Sequence, residues 1–534
     1  MVNFYQAEKK APAAKAFEVT CSALDIQGRG VCKHEGRVYF VEDLLLGEVA
    51  RIVPQLSAGV TSANAAKEKV ATAKVSKYIL TSPLRQEDSC PLQQQCGGCP
   101  LAYMPAELAL KAKVAGVAKL LTKSVLQGTM EAKSSKASTS HGSSKLGKNS
   151  TIKQALAAKQ AQAKNIARQK ELQALTQEAA AAVSHASYMH TGAELGYRRA
   201  CRLAVRTSHG RLYLGFREGK TQELVPVSSC AVLTPRLNAL LEPLQAVVNT
   251  LEGKKNLGHV ELLDTDGAAG VLLRLTKKAE SADVERLQAF AAEHHVVLSL
   301  LEPFKQLDDT EVVRERLLYD EGAEAAVEAA ATEANTNGEL QLSSALYVQS
   351  GDCKVYCSPS SFVQVNAAMN SRMVQQVLTE VEPHEGQKVL DLFSGLGNFA
   401  LPIAKGGSEV VGIDIVSDMV RRATYNAQAN GVAERARFYT ADLESPFEAQ
   451  LWAKDQYDVV VMDPGRMGAK RAVQYVAKLQ PKKIVMISCN PLAAARDCSQ
   501  LLAAHYKIQS WGAFDMFPRT RHIEILLVFT RESD

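Results

Sequence analysis

Val389-Leu390-Asp391-Leu392-Phe393-Ser394-Gly395-Leu396-Gly397-Asn398 is the stretch on which the fold turns. Its apolar start reads as a buried parallel strand, and its glycines read as a turn where backbone approaches a ligand closely. Outward from it, strand-like runs at 388–393, 409–414, 436–439, 458–463, 483–488 and 523–529 alternate with helical patterns. That alternation predicts a doubly wound α/β sheet, with ligands at the carboxyl ends of its strands. The second strand ends at Asp414, twenty-three residues after Asp391, where a carboxylate accepts hydrogen bonds from ribose hydroxyls. Asp442 follows the third strand and would face an adenine. Ala400 fills the sixth position of a Gly-x-Gly-x-x-Gly pattern, so the glycines alone do not exclude a dinucleotide. Asp391, together with Asp463-Pro464 after the fourth strand, fits S-adenosylmethionine better. An ordinary loop Asp would account for any one of these carboxylates, but not for the ordered set.

The fifth strand, Lys483-Ile484-Val485-Met486-Ile487, runs into Ser488-Cys489-Asn490-Pro491. A buried cysteine is most often a small apolar residue. One placed at the ligand edge of such a sheet, near Asp463, is a candidate nucleophile if it can become a thiolate. Glu524 opens the apolar strand that ends the chain, which invites a general-base role; the alternative is a rim residue paired with Arg519 or Arg521. Gly465-Arg466 follows Asp463-Pro464, in place of the Pro-aromatic with which amino-directed methyltransferases stack their target base.

The 534 residues suffice for three or four domains, and the net charge of +5 does not by itself demand a nucleic-acid partner. Eleven cysteines, an odd number, and no secretory signal argue against a disulfide framework. No apolar run is long enough to span a bilayer, so the expectation is a cytoplasmic protein with no membrane association. Short β-rich runs at 16–24, 37–41, 47–53 and 69–78, punctuated by Gly28, Gly30 and Gly36, suggest a small barrel over residues 12–80. Residues 81–123 and 188–350 read as a central α/β domain, with a helix at 106–121 and strand-like runs at 202–207, 212–216 and 260–275. Residues 124–187 form an insert. Its stretch from Lys133 to Lys170 holds nine Lys or Arg and no acid, first Ser/Lys-rich and then helix-prone. It serves either as a linker or as a contact for RNA backbone. An acidic, Ala-rich insert lies at 321–337, and residues 351–534 hold the doubly wound domain. Cys90, Cys96 and Cys99 need a fourth thiolate for a metal site, for which Cys230 is the best candidate; zinc and an iron-sulfur cluster both suit four cysteines.

Four stretches, Asp391–Asn398, Asp463–Arg466, Ser488–Pro491 and Asp515–Glu524, closely resemble the RNA uracil-C5 methyltransferases. Phe362-Val363-Gln364-Val365-Asn366 resembles that family's Phe-x-Gln-x-Asn motif. The resemblance covers most of the chain apart from the two inserts. It implies a class I, Rossmann-like S-adenosylmethionine-dependent domain, with Cys489 adding to carbon 6 of uracil, Glu524 removing the carbon 5 proton and Asp463 positioning the uracil edge. It further implies that Gln364, Phe393, Asn398, Asp414, Asp442 and Asp463 line the cofactor site. The cysteine pattern resembles the [4Fe-4S] site of the ribosomal-RNA branch, held by Cys90, Cys96, Cys99 and Cys230. The barrel resembles a TRAM domain, an OB-like RNA-binding module. Large-subunit (23S) ribosomal RNA is therefore the expected partner, with no obligate protein partner. The alternatives are transfer RNA as substrate, or a non-catalytic RNA-binding or assembly factor with a degenerate pocket, against which the intact Cys489, Glu524 and Asp463 argue. Three departures stand out: Arg519 where the family usually has His, Ser394 in place of a frequent Cys, and Asp414 in place of the common Glu.

Overall fold

The structure, a computed structural model, describes residues 15–55, 70–87, 90–138, 181, 183–219, 221, 223–305, 311–320 and 342–531. Most of the basic insert and all of the acidic insert lie outside the described residues. The chain divides into two compact units, Met1–Gln94 with Gly98–Gly116 and Arg519–Arg521, and Gln95–Gly97 with Val117–Pro518 and His522–Asp534.

In the first unit, β1 (Phe17–Leu24), β2 (Gly30–His34), β3 (Arg37–Glu42), β4 (Val49–Gln55) and β5 (Val70–Leu80) close a barrel in the order β1-β2-β3-β5-β4. Alternate residues such as Val19, Cys21, Cys32, Tyr39, Val41, Ala50 and Ile52 fill its core, as a strand's two-residue period requires. The sequence reading missed β2, because two glycines frame it and it has only five residues. Glu48 is buried in this unit, where the Arg85 guanidinium grips both of its oxygens at 2.8 and 2.6 Å. Cys90 and Cys99 are part of this unit, and its Leu101 N–H donates to the Arg519 carbonyl at 2.9 Å. Arg521 pairs with Glu42 at 3.0 Å, so the alternative in which Arg521 neutralises Glu524 is not what the fold chooses.

α1 (Ala106–Ser138) continues past 121 to Ser138 and thus enters the Ser/Lys-rich part expected to lack structure. In the second unit, β6 (Tyr188–His190) precedes a seven-stranded sheet of β7 (Ala200–Ser208), β8 (Arg211–Arg217), β9 (Leu224–Pro226), β10 (Leu257–Asp264), β11 (Ala269–Leu275), β12 (Val296–Lys305) and β13 (Glu311–Tyr319). Its order is β13-β12-β11-β10-β7-β8-β9. The run 260–275 is therefore not one strand but a hairpin turning at Thr265–Ala268. α2 (Pro235–Thr250) packs on β8 and β10, and α3 (Ser281–Glu293) makes the parallel crossover from β11 to β12. A two-stranded ribbon, β14 (Tyr347–Ser350) and β15 (Cys353–Tyr356), leads into α4 (Ala367–Val381).

The second large sheet joins β16 (Lys388–Leu392), β17 (Glu409–Asp414), β18 (Ala436–Thr440), β19 (Val459–Met462), β20 (Lys483–Ser488), β21 (Tyr506–Phe514) and β22 (Glu524–Arg531). Its order is β18-β17-β16-β19-β20-β22-β21-β6. β16 to β20 are parallel, and β22 runs antiparallel between β20 and β21. α5 (Ala400–Lys405), α6 (Ser417–Ala429), α7 (Lys470–Leu479) and α8 (Pro491–Ala503) connect them. β16, β19, β20 and β22 are almost wholly buried, which explains their continuous apolar runs. All six expected strands form within two residues of their expected ends; β21 was not foreseen, since its Lys507, Gln509 and Ser510 break the apolar run.

Candidate active site

The strand order gathers the sequence-selected residues at one edge. Asp442 follows β18, Asp414 ends β17, Phe393–Asn398 follow β16, Asp463 follows β19 and Cys489 follows β20. These are the carboxyl ends of five adjacent parallel strands. Because β22 is antiparallel, its first residue, Glu524, lies at that same edge. The ladder between β20 and β22 ends at the pair Ser488–Ile525, so Cys489 and Glu524 are the residues next beyond it, near enough for the Glu524 charge to act on the thiol.

The β16 turn is built to stay open. Phe393 has φ +67° and Gly395 φ +53°, and a side chain added at Gly395 would meet nothing within 4 Å. The Gly395 N–H donates to Asp414 Oδ2 at 3.0 Å and the Val416 N–H to Asp414 Oδ1 at 2.9 Å, so that carboxylate is held in place. Asn398 and Asn370 of α4 exchange two amide hydrogen bonds of 3.0 Å. Asn370 escaped the sequence reading; its signal is a polar residue on the buried face of α4, among Met369, Met373 and Val374. Asp442 is exposed; the Ser445 hydroxyl and then the Glu444 N–H donate to its carboxylate and hold its pKa below the usual range.

Asp391 is fully buried and neither of its oxygens makes a well-formed hydrogen bond, although the Ala400 N–H pulls its pKa down somewhat. Burial first, then the neighbouring Asp463, raises that pKa well above the carboxylate range. The Ser394 hydroxyl beside it is buried without a hydrogen-bond partner. Buried polar atoms left unsatisfied at a ligand edge, next to an open glycine turn, fit a polar cofactor that brings its own hydrogen-bonding groups.

Asp463 receives a 3.4 Å hydrogen bond from Gln364 Nε2, and burial pushes its carboxyl up to about 7. Asn366 caps α4, accepting from the Met369 N–H at 3.2 Å and donating to the Met516 carbonyl at 3.2 Å. Cys489 is half-buried just ahead of α8, whose N-cap, Asn490, accepts from the Leu492 and Ala493 N–H groups. Burial, then the charges of Glu524 and Asp463, push the Cys489 thiol up to about 11. Glu524 is itself buried, and desolvation followed by Asp463 drives its pKa well above the carboxylate range. Two carboxyls that resist ionisation lie at one edge with the thiol, an environment suited to acid-base work. The raised thiol pKa opposes thiolate formation and leaves Cys489 in need of deprotonation before it can act as a nucleophile. Arg519 just upstream has φ +66°, a strained conformation for a residue with a side chain.

The cysteines divide by burial. Cys21, Cys32, Cys201, Cys353, Cys357 and Cys498 are buried, whereas Cys90, Cys96, Cys99, Cys230 and Cys489 are half-buried. Among the described residues none forms a disulfide, and no group of three or more metal-binding side chains is gathered. In the first unit, Gln93 donates to the Cys90 carbonyl at 3.1 Å through its backbone and to the Cys99 carbonyl at 3.0 Å through its side chain. In the second, Cys96 bridges to Glu218, and Gly97 lies so close to Gly219 that an added Cβ would come within 2.4 Å of its Cα. No helix among the described residues is long and apolar enough to cross a membrane.

Fold and edge together define a class I methyltransferase carrying a thiol and a carboxyl beside its cofactor turn. Residues 160–532 match the sequence model of the tRNA (Uracil-5-)-methyltransferase family. The chain belongs to this family and is an S-adenosylmethionine-dependent RNA (uracil-C5)-methyltransferase. It is 32% identical to the 23S rRNA (uracil(1939)-C(5))-methyltransferase RlmD of Tolumonas auensis, over 100% of both chains. It is also 32% identical to the protein of the same name from Shewanella frigidimarina, over 99% of each. The crystal structure of Pyrococcus abyssi tRNA (uracil-54, C5)-methyltransferase, in complex with S-adenosyl-L-homocysteine, shares the fold. The match has a TM-score of 0.61 and 20% identity over 96% of this chain and 99% of that one.

Proposed function

We propose that this enzyme methylates carbon 5 of a uridine in 23S ribosomal RNA in the cytoplasm, through a covalent bond to Cys489. The observation that supports the mechanism is that Cys489 and Glu524 are the residues next beyond the Ser488–Ile525 pair, at the carboxyl edge of the parallel strands, where the Glu524 charge acts on the thiol. The substrate is supported by full-length relatives named for that activity. Bound S-adenosylmethionine supplies an electrophilic methyl group, with Gln364, Phe393, Asn398, Asp414, Asp442 and Asp463 as its lining. Cys489, half-buried, gives up its proton to solvent and its thiolate sulfur bonds to carbon 6 of uracil, and the displaced π electrons make carbon 5 nucleophilic. Carbon 5 takes the methyl group as the methyl–sulfonium bond breaks, its electrons staying on sulfur to leave S-adenosylhomocysteine. Glu524 then accepts the carbon 5 proton, the carbon 5–carbon 6 double bond re-forms and the sulfur–carbon 6 bond breaks, returning Cys489. Asp463, held by Gln364, orients the uracil edge, and its raised pKa lets it donate as well as accept near neutrality. The uridine is flipped out of its RNA context, since carbon 6 must be reached from one face.

The enzyme is expected to convert a uridine of naked 23S RNA to 5-methyluridine and to leave transfer RNA unmodified. Nuclease mapping of both RNAs after incubation with labelled methyl donor measures this. Efficient labelling of transfer RNA alone would overturn the substrate and leave the chemistry standing, a second reading that the family's own description favours.

The proposed division is a TRAM-like barrel (12–80) for RNA, a central domain (81–123 and 188–350), the insert (124–187) and the catalytic domain (351–534). Cys90, Cys96, Cys99 and Cys230 fit a [4Fe-4S] cluster by donor chemistry: they are four of the five half-buried thiols, the fifth being Cys489 at the sheet edge. Such a cluster would supply a rigid covalent cross-link between loops. Protein purified without oxygen is expected to hold about four irons per chain. Serine at any of these four positions should lower the iron, whereas serine at Cys201 or Cys498 should not. One equivalent of zinc with no iron would contradict this.

A further inference from the structure

The loop from Asp515 to Ile523, which delivers Glu524, has no regular structure of its own. A base on a slack loop would be poorly aimed, so what holds the loop matters. Within the second unit, the Asp515 N–H donates to the His190 carbonyl at 2.8 Å, and Asn366 Nδ2 donates to the Met516 carbonyl at 3.2 Å. The Tyr197 hydroxyl donates to the Pro518 carbonyl at 3.0 Å. Tyr197 is buried, and the neighbouring Arg198 guanidinium lies 6.0 Å from the Phe517 ring centroid.

Tyr197 stands on a short strap that is itself braced from both sides. The Gly196 and Arg198 N–H groups donate to the Ala231 and Val232 carbonyls at 2.9 and 2.8 Å, and the Thr234 N–H returns to the Arg198 carbonyl at 3.0 Å. Those partners immediately follow Cys230. The Arg199 N–H donates to the Val365 carbonyl at 2.8 Å, next to the Gln364 that reaches Asp463. One four-residue segment outside the catalytic domain thus touches both the loop of the base and the stretch that holds Asp463.

We propose that Tyr197 is a positioning residue for Glu524: its hydroxyl fixes the loop through the Pro518 carbonyl, and the Cys230-side pairing keeps the hydroxyl in place. The proposal rests on the reading of Glu524 as the base. Its consequence is selective. Formation of the Cys489–carbon 6 bond precedes use of the base and does not depend on the loop, whereas proton removal does.

Tyr197→Phe keeps the buried ring and deletes the hydroxyl. It is expected to lower kcat about tenfold, with KM for RNA and for S-adenosylmethionine changed by less than about twofold. The rate of adduct formation on RNA carrying 5-fluorouridine should stay at the wild-type value, and on ordinary RNA a methylated covalent adduct should accumulate. With the base already removed the hydroxyl has nothing to position, so Tyr197→Phe/Glu524→Gln should be no slower than Glu524→Gln alone. Equal slowing of adduct formation and turnover, an additive double variant, or an unchanged kcat would each overturn the proposal. The two readings separate cleanly. If Glu524→Gln fails to trap an adduct, the base assignment falls; if it traps one and Tyr197→Phe accumulates none, only the positioning role falls.

Discussion

Cys489→Ala is expected to lower methylation by at least on the order of 10⁴-fold, because in the proposed mechanism the side chain forms the bond that activates carbon 5. Without sulfur on carbon 6, the conjugated uracil ring gives carbon 5 no electron pair for the methyl group. The loss should be purely chemical. Cys489 is only half-buried and its helix is capped by Asn490, so the variant keeps its core and its cap. Its melting temperature and its affinity for S-adenosylmethionine should match the wild type. Substantial residual turnover would mean that carbon 5 is activated by some other group. Cys489→Ser is expected to fail almost as badly, since a hydroxyl ionises far less readily than a thiol already pushed up to about 11.

Glu524→Gln should stop the reaction after methyl transfer, with enzyme joined to ordinary RNA through Cys489. The amide matches the carboxyl in size and cannot take the carbon 5 proton, so the sulfur–carbon 6 bond has no route to break. Turnover should fall by roughly 10³-fold or more while one methyl group per enzyme is still transferred. Free turnover would remove Glu524 from the mechanism. The pH dependence follows from the same burial. In the proposed mechanism thiolate and carboxylate are the working forms of Cys489 and Glu524, and both pKa values are raised. Activity should therefore climb with pH across the neutral range, with its acidic limb well above the ~4.3 of an ordinary Glu. Stability moves the other way. A carboxyl whose folded pKa is raised costs stability once pH exceeds its unfolded pKa, as the fold must then carry an ionised buried group or hold the proton against solution. Glu524→Gln should melt above the wild type at pH 8, with the difference vanishing toward pH 4. Thermal melts at the two pH values measure this, and a variant less stable at pH 8 would contradict the burial argument.

The gathering of these residues at one sheet edge was legible because its information is local. Asp391, Asp414, Asp463 and Cys489 each end a strand that announces itself by a buried apolar run, and parallel strands put their ends together. Glu524 was legible for the opposite reason: a carboxylate opens a strand otherwise wholly apolar. What the sequence hides is partnership at a distance. Arg521 looked like a partner for Glu524 and pairs with Glu42 instead. Nothing near Asn370 or Tyr197 in the sequence says that one clamps Asn398 and the other holds the Pro518 carbonyl. Local pattern also failed where it was short or interrupted. β2 is five residues between glycines, β21 carries polar breaks, and the run 260–275 conceals a turn because both arms of its hairpin are apolar. The helix formers Ala, Lys and Leu carry α1 beyond 121, where Ser/Lys-rich composition argued for an end.

The central claim is a covalent bond between one sulfur and one carbon of the RNA base. Wild-type enzyme incubated with S-adenosylmethionine and 23S RNA carrying 5-fluorouridine should stall with the base attached, since fluorine cannot leave as a proton does. After protease and nuclease digestion, tandem mass spectrometry should place one methylated 5-fluorouridine on the peptide containing Ser488-Cys489-Asn490, with the added mass on Cys489. Attachment to any other residue, or efficient turnover with no covalent species, would contradict the account.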